Sequence, residues 1–340
     1  MEFSRTYTTI DAHTAGEPLR IVTAGIPRIP GATILDKRAW VRDNIDHVRT
    51  TLMHEPRGHA DMYGCYLVEP VTAGADFGVI FMHNQGYSDM CGHGIIALAT
   101  VAVAQGLVTT SVPETRVGID SPAGFIEAFV EFDGSRVGSV RFLNVPSFVL
   151  QRDLRVTTPD FGEVSVDIAF GGAFYAYLAA EQVGLEVRRQ YTQRLVELGD
   201  QVKKAVVAAT AIQHPVIAEL DTLYGTIIDG PPLDPTNDQA NICVFADREV
   251  DRSPTGTGTS GRVAQLHARG RLALGETLRN ESIIGTLFTG RAARETTVMG
   301  SDGSSIAAVI PEVAGRASIT GFNQWVVAVD DELGDGFLVR

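Results

Sequence analysis

The chain repeats itself once. Cys91-Gly92-His93-Gly94 opens an apolar run that stops at Gly106, and Thr255-Gly256-Thr257-Gly258 opens another that stops at Gly270. Both ends keep one offset: 255 less 91 and 270 less 106 are each 164. Phe81 and Phe245, which close the preceding β-like runs, keep it too. Strand, loop, Gly-x-Gly and helix therefore occur twice in one register. Repeats of this kind mark a duplicated supersecondary unit. Two copies so far apart predict two similar domains facing each other, with a pocket between them.

The rest of the chain reads as short β-like runs separated by turn residues. Val79–Phe81, Phe125–Phe132, Val137–Phe142, Ile242–Phe245 and Ser282–Phe288 are each bounded by Gly, Pro, Asn or Asp. Three segments predict helices: Gly94–Gln105, Leu185–Ala211 and Thr259–Arg269. The pattern is α+β and rich in strands. At 340 residues the length suits two domains, and 44% hydrophobic with 20% charged residues is ordinary globular composition.

Charge narrows the partners. Lys and Arg number 28 against 41 Asp and Glu, for a net charge of −13. A polyanion would be repelled, so neither nucleic acid nor an anionic membrane is expected as a partner. No apolar stretch approaches the roughly 20 residues that span a bilayer, and the first eighteen residues carry no secretory pattern. Three cysteines, an odd number, do not make a disulfide framework. A cytoplasmic, reducing setting is the expectation. The sequence leaves a homodimer open.

The two loops carry the chemistry. A helix start offers unpaired N–H groups and the positive end of a dipole, and glycines there let an anion such as a carboxylate approach. At such a position the dipole favours the thiolate of Cys91 and lowers its pKa from the usual ~8.5. The thiolate can then serve as a general base or nucleophile. Cys65 and Cys243 lie in apolar strand-like runs and read as core. Thr255 holds the equivalent place in the second loop. It is a good N-cap, but its hydroxyl is an acid about as weak as water.

Three other patterns compete. Gly256-Thr257-Gly258-Thr259-Ser260-Gly261 matches the dinucleotide fingerprint, with Glu276 about twenty residues on, yet Ala246–Pro254 separates it from its strand where that fold needs a tight turn. His54, Glu55, His59 and Asp61 suggest a metal, but Pro56 and Gly58 break the required helix; a turn stabilised by Arg57 and Asp61 is expected instead. Cys91 and His93 lack a second ligand pair at metal spacing, so His93 is expected beside the thiol.

Ser88-Asp89-Met90-Cys91-Gly92-His93-Gly94 and Asp251-Arg252-Ser253-Pro254-Thr255-Gly256-Thr257-Gly258-Thr259-Ser260 resemble the two signatures of the proline racemase family. Asp11–Arg20 and His54–His59 are similar to it as well. The resemblance implies a fold like diaminopimelate epimerase: two pseudo-symmetric halves, each a curled mixed sheet around a central helix, with the active site in the interdomain cleft. The expected halves are 1–145 with 322–340, carrying Cys91, and 146–321, carrying Asp251 and Thr255. The resemblance also implies that N–H groups of Gly92, His93, Gly256 and Thr257 hold a substrate carboxylate. Asp251 would accept from a ring nitrogen, and no metal or organic cofactor is implied.

Racemases and epimerases of this family carry cysteine in both loops. The departure at Thr255 is similar to the family's trans-3-hydroxy-L-proline dehydratases, as is Leu223–Ile228. Inversion needs an acid on each face of the substrate, whereas elimination needs only one. The expectation is a cofactor-independent hydro-lyase. Its rivals are a proline racemase or hydroxyproline 2-epimerase using another acid, a silent imino-acid binding protein, and a nucleotide-binding enzyme.

Overall fold

The structure, a computed structural model, describes residues 2–301 and 303–339. The chain divides into two compact units, Met1–Val140 with Arg316–Arg340, and Arg141–Gly315. Five α-helices are labelled here: α1 (Ile34–Asn44), α2 (Asp46–Met53), α3 (Gly92–Ala104), α4 (Thr192–Ala209) and α5 (Gly256–Ala268).

In the first unit Phe3–Thr14 pairs antiparallel with Glu17–Ala24 on one side and with Ala317–Ala328 on the other. Glu17–Ala24 runs parallel to Tyr63–Val68, which pairs antiparallel with Phe77–His83. Phe77–His83 also carries the short strand Gly86–Ser88 and lies parallel to Glu114–Ser121, which pairs with Gly124–Phe132. Helix α3 is apolar on every side, which demands burial all round. All its residues except Ala104 are buried. It packs against the outer strands of the sheet at both ends, Ala317–Ala328 and Gly124–Phe132, so the sheet curls around it.

The second unit repeats the plan. Ser147–Thr158, Gly162–Phe170 and Phe174–Ala179 pair antiparallel in turn. Phe174–Ala179 lies parallel to Leu223–Gly230, and Gln239–Phe245 lies parallel to Thr277–Ser282. Leu287–Met299 and Ser305–Gly315 follow, and Ser305–Gly315 returns to pair with Ser147–Thr158. Helix α5 fills the middle, buried from Gly256 to Leu266.

Each unit also has an outer helical layer, built differently. In the second, α4 buries Leu195, Leu198, Val202 and Val206 at helical spacing. In the first, α1 and α2 do the same work in two pieces. Ile34, Val41, Val48, Leu52 and Met53 pack on Tyr66, Ile80 and Met82. This pair escapes the sequence reading, because the apolar residues of α1 are spread round the helix between charges rather than gathered on one face. The signal it does carry is a capping box at Thr33 and Asp36.

The two central helices start two and three residues earlier than expected, at Gly92 and Gly256, and two other boundaries differ more. The helix expected from Leu185 starts only at Thr192. Gly184 is left-handed at φ 68°, Arg188 is extended, and Arg189–Tyr191 is a 3₁₀ turn. Ser282–Phe288 is not one strand. The strand Thr277–Ser282 ends there, and Ser282 to Thr286 forms a tight turn around Gly285 at φ 84°. Among the described residues, no helix is long and apolar enough to cross a membrane.

Candidate active site

The first loop hangs from the strand Phe77–His83 and its hairpin partner, where Phe81 lies opposite Ser88. Cys91 then caps α3 in an extended conformation, φ −141° and ψ 107°. Its Sγ accepts from Gly94 N–H at 3.2 Å. This contact requires glycine: a Cβ at Gly94 would lie 2.5 Å from Phe81 and 3.0 Å from the sulfur itself. Cys91 is 4% exposed.

His93 lies beside the thiol. Its Nδ1 is 3.2 Å from Sγ, and its Nε2 is 3.2 Å from the Pro18 carbonyl oxygen. A carbonyl only accepts, so the second contact calls for a hydrogen on Nε2. Nδ1 is then left facing the sulfur: it accepts from the thiol when the ring is neutral and donates to the thiolate when the ring is protonated. Tyr63 packs edge-on against the ring at 4.8 Å and donates to Ser88 Oγ at 2.5 Å. Thr14 Oγ1 donates to the His93 carbonyl at 2.8 Å. Before the cysteine, Asp89 forms an ion pair with Arg38 of α1, and its carbonyl accepts from Ala123 N–H. Burial pushes the Asp89 carboxyl above the ordinary range, against the pull of Arg38.

The second loop follows the strand Glu249–Asp251, which pairs with Gln239–Phe245 so that Asp251 lies opposite Cys243. Asp251 Oδ1 accepts from Ser253 N–H at 2.8 Å, and Ser253 Oγ accepts from Thr255 N–H at 3.1 Å. Thr255 caps α5 at φ 61° and ψ 102°. For a β-branched residue this is a true outlier. Its side chain makes no cap bond. Its Oγ1 is buried and finds no hydrogen-bond partner among the described residues. Gly258, three residues on, repeats the role of Gly94: a Cβ there would lie 2.6 Å from Ile227 and 3.0 Å from Thr255. Thr257 Oγ1 bonds Tyr175 Oη at 2.8 Å.

Within the first unit the structure thus brings Cys91, Gly92 and His93 to one helix start. Within the second it brings Asp251, Thr255, Gly256 and Thr257 to another. Sequence reasoning does not single out Thr14, Pro18, Tyr63, Arg38 or Ser253. Their contacts with the loops run from 2 residues for Ser253 and Thr255 to 79 for Thr14 and His93. Thr14, Pro18 and Ser253 do stand in family-like segments; Tyr63 and Arg38 carry no such mark.

The other patterns resolve structurally. The Gly256–Gly261 run packs against tyrosines, with Tyr177 Oη donating to the Gly258 carbonyl and sitting where a Gly261 Cβ would fall. Around His54–Asp61 the chain turns. Arg57 pairs with Asp331 at 2.7 Å, and Arg20 bonds Asp11, the Leu52 and Arg57 carbonyls, and stacks on Trp325. Among the described residues, no group of three or more His, Cys, Asp or Glu is placed to hold a metal ion. Burial pushes the Cys65 thiol far above its usual value, as expected of a core cysteine.

The family model described as proline racemase matches residues 9–338. A 3-hydroxyproline 2-epimerase of Burkholderia multivorans is 59% identical over 340 residues, all of both chains. A trans-3-hydroxy-L-proline dehydratase of Azospirillum brasilense is 58% identical, again over all of both chains. Among solved structures, a hydroxyproline epimerase from Agrobacterium vitis, with bound trans-4-hydroxy-L-proline, is 31% identical with a TM-score of 0.92. The match covers 100% of this chain and 96% of that one.

Proposed function

Because the chain belongs to the proline racemase family, we propose that it is a trans-3-hydroxy-L-proline dehydratase, converting that substrate to 1-pyrroline-2-carboxylate and water. The observation that carries this reading is the inequality of the two loops. One presents a thiol with a hydrogen-bonding imidazole and a helix start beside it. The other presents an aliphatic hydroxyl with no protein partner among the described residues. A thiol exchanges protons near neutral pH, whereas an aliphatic hydroxyl, about as weak an acid as water, does not.

In trans-3-hydroxy-L-proline the hydroxyl is trans to the carboxylate, and the α-hydrogen also points away from the carboxylate. Hydrogen and leaving group therefore share a ring face. Cys91 thiolate takes the α-proton, the C2–H electron pair forms the C2=C3 bond, and the C3–O bond breaks. The departing hydroxide takes a proton from the new Cys91 thiol and leaves as water. The thiolate is regenerated, and the enamine tautomerises to the cyclic imine. N–H groups of Gly92, His93, Gly256 and Thr257 hold the carboxylate and stabilise the charge that develops at C2. Asp251 accepts from the ring nitrogen. Both proton transfers up to the enamine fall to Cys91, in a cytoplasmic enzyme that needs no cofactor.

Incubation with trans-3-hydroxy-L-proline, with a trap for the cyclic imine, tests the proposal. Imine formation supports it, and unchanged substrate overturns it. The name of the Burkholderia multivorans relative favours a second reading, inversion at C2 of 3-hydroxyproline. Chiral analysis of the same mixture distinguishes the two, since inversion leaves a 3-hydroxyproline epimer and no imine.

A further inference from the structure

The strain at Thr255 is held by something identifiable. The carbonyl of Pro254, the residue before it, accepts three side-chain hydrogen bonds. Asn241 Nδ2 donates at 3.0 Å, Thr259 Oγ1 at 3.1 Å and Asn280 Nδ2 at 3.3 Å. A carbonyl has two lone pairs, so three donors on one oxygen is a crowded arrangement. Asn241, Thr259 and Asn280 are each 0% exposed.

Two of the donors, Asn280 and Thr259, are themselves fixed, whereas Asn241 Oδ1 finds no partner among the described residues. Asn280 Nδ2 lies 2.9 Å from Thr259 Oγ1, and Asn280 Oδ1 accepts from Gln239 Nε2 at 3.0 Å. Gln239 Oε1 accepts from Arg262, whose guanidinium pairs with Asp229 at 2.9 Å. This buried chain runs across Gln239–Phe245, α5 and Thr277–Ser282. The remaining backbone groups of the loop are pinned as well: Thr255 N–H by Ser253, and the Thr255 carbonyl by Thr259 N–H at 2.7 Å. Sparsely populated conformations persist only where the surroundings over-determine them.

We propose that Asn241, Thr259 and Asn280 are positioning residues whose three-donor clamp on the Pro254 carbonyl forces Thr255 into the left-handed conformation that keeps its hydroxyl free for the substrate. The proposal deepens the dehydratase reading and rests on it for the substrate's identity. Without the clamp, Thr255 relaxes to negative φ and its hydroxyl turns to a backbone partner as an ordinary cap does. The first loop has no need of such a device, since Cys91 is already extended.

Thr259→Val removes one donor at nearly constant shape, Thr259→Ser restores it, and Asn241→Leu removes another. Each is made in the native chain and in a Thr255→Gly chain, where the conformation is unstrained. The expected result is a kcat lower by about tenfold or more in Thr259→Val, with KM nearly unchanged and activity recovered in Thr259→Ser. The melting temperature should fall less in the native background than in the Thr255→Gly background, because strain release offsets part of the loss only in the former. Native kcat in Thr259→Val and Asn241→Leu, or equal falls in melting temperature in both backgrounds, would overturn the clamp. Should a variant fail to fold, the other completes the cycle. If the native protein forms no imine from trans-3-hydroxy-L-proline, the dehydratase reading fails alone, and the melting-temperature cycle still decides the clamp.

Discussion

The two helix starts are copies in topology and opposites in chemistry. Each follows a strand and a short antiparallel return, and opens a buried central helix. Each needs glycine at the third position after the cap, where a Cβ would meet the cap side chain at 3.0 Å. At the first cap, an extended cysteine is engaged by Gly94 N–H and His93. At the second, a threonine sits at φ 61° and its hydroxyl goes unused by the described residues. A duplicated scaffold can thus preserve a glycine-bearing helix start while its two caps diverge. The helix start is backbone, which any sequence with the right glycines provides, and the caps are side chains.

The largest effect should come from the thiol. Cys91→Ser replaces a thiol with a far weaker acid, an alcohol, and leaves the backbone of the loop intact. Imine formation should fall by about 10³-fold or more. Steady-state assays at native melting temperature would check this, and full activity would remove Cys91 from the mechanism. The converse change makes the caps alike. Thr255→Cys supplies the missing acid, and α-deuterium exchange with inversion should appear for proline or 4-hydroxyproline. Chiral chromatography after incubation in deuterated water reads it. Exchange with inversion in the native protein would mean that the asymmetry is not what separates elimination from epimerisation.

The loops also differ in what anchors them, and pH exposes that difference. The first is tied to α1 through Arg38 and Asp89; the Pro254 carbonyl of the second is held directly by amides and a hydroxyl. Burial already raises the Asp89 carboxyl in the folded state, with Arg38 opposing. Removing the cation in Arg38→Gln raises it further and leaves a buried charge unpaired at neutral pH, which costs about 3 kcal/mol. A raised folded-state pKa means that the folded form binds more protons above the unfolded value, so stability falls as pH rises through that window. The melting-temperature deficit of Arg38→Gln should therefore be larger at pH 7 than at pH 5. A deficit independent of pH would show that Asp89 is not what Arg38 serves.

What can be read from the chain, and what cannot, divides along the same line. The repeat, the two central helices and the paired caps are legible because glycines and apolar runs are local signals with a fixed offset. The outer layers are less so. Helix α4 announces itself by spacing, although that spacing puts its start at Leu185 rather than Thr192, across the extended Arg188 and the 3₁₀ turn Arg189–Tyr191, which break the helical pattern. Helices α1 and α2 hide among charges and draw their stability from packing on Tyr66, Ile80 and Met82. At the site, the identities of Cys91 and Thr255 can be read, but not the conformation of either. Thr259 is close by and reads as an ordinary helix residue, while the two clamping amides belong to the strands Gln239–Phe245 and Thr277–Ser282, so the positive φ of Thr255 is not legible.

That hidden conformation leads to the smallest effect and the most direct test of how the second cap differs from the first. A non-glycine residue held at positive φ costs about 1–3 kcal/mol, and glycine removes that cost while adding freedom to the unfolded chain worth about 1 kcal/mol. The two terms nearly offset, with strain the larger for a β-branched residue. Thr255→Gly should therefore melt at the native temperature or about 1–2 °C above it, although it deletes a buried side chain. The same change at the first cap, Cys91→Gly, has no strain to relieve, because φ −141° suits any residue. It also loses the bond from Gly94 N–H, so its melting temperature should fall. Imine formation should be lost or much reduced in both variants, so activity alone would not tell them apart, whereas thermal denaturation would. Equal destabilisation of the two would mean that Thr255 carries no strain and that the caps differ in chemistry alone.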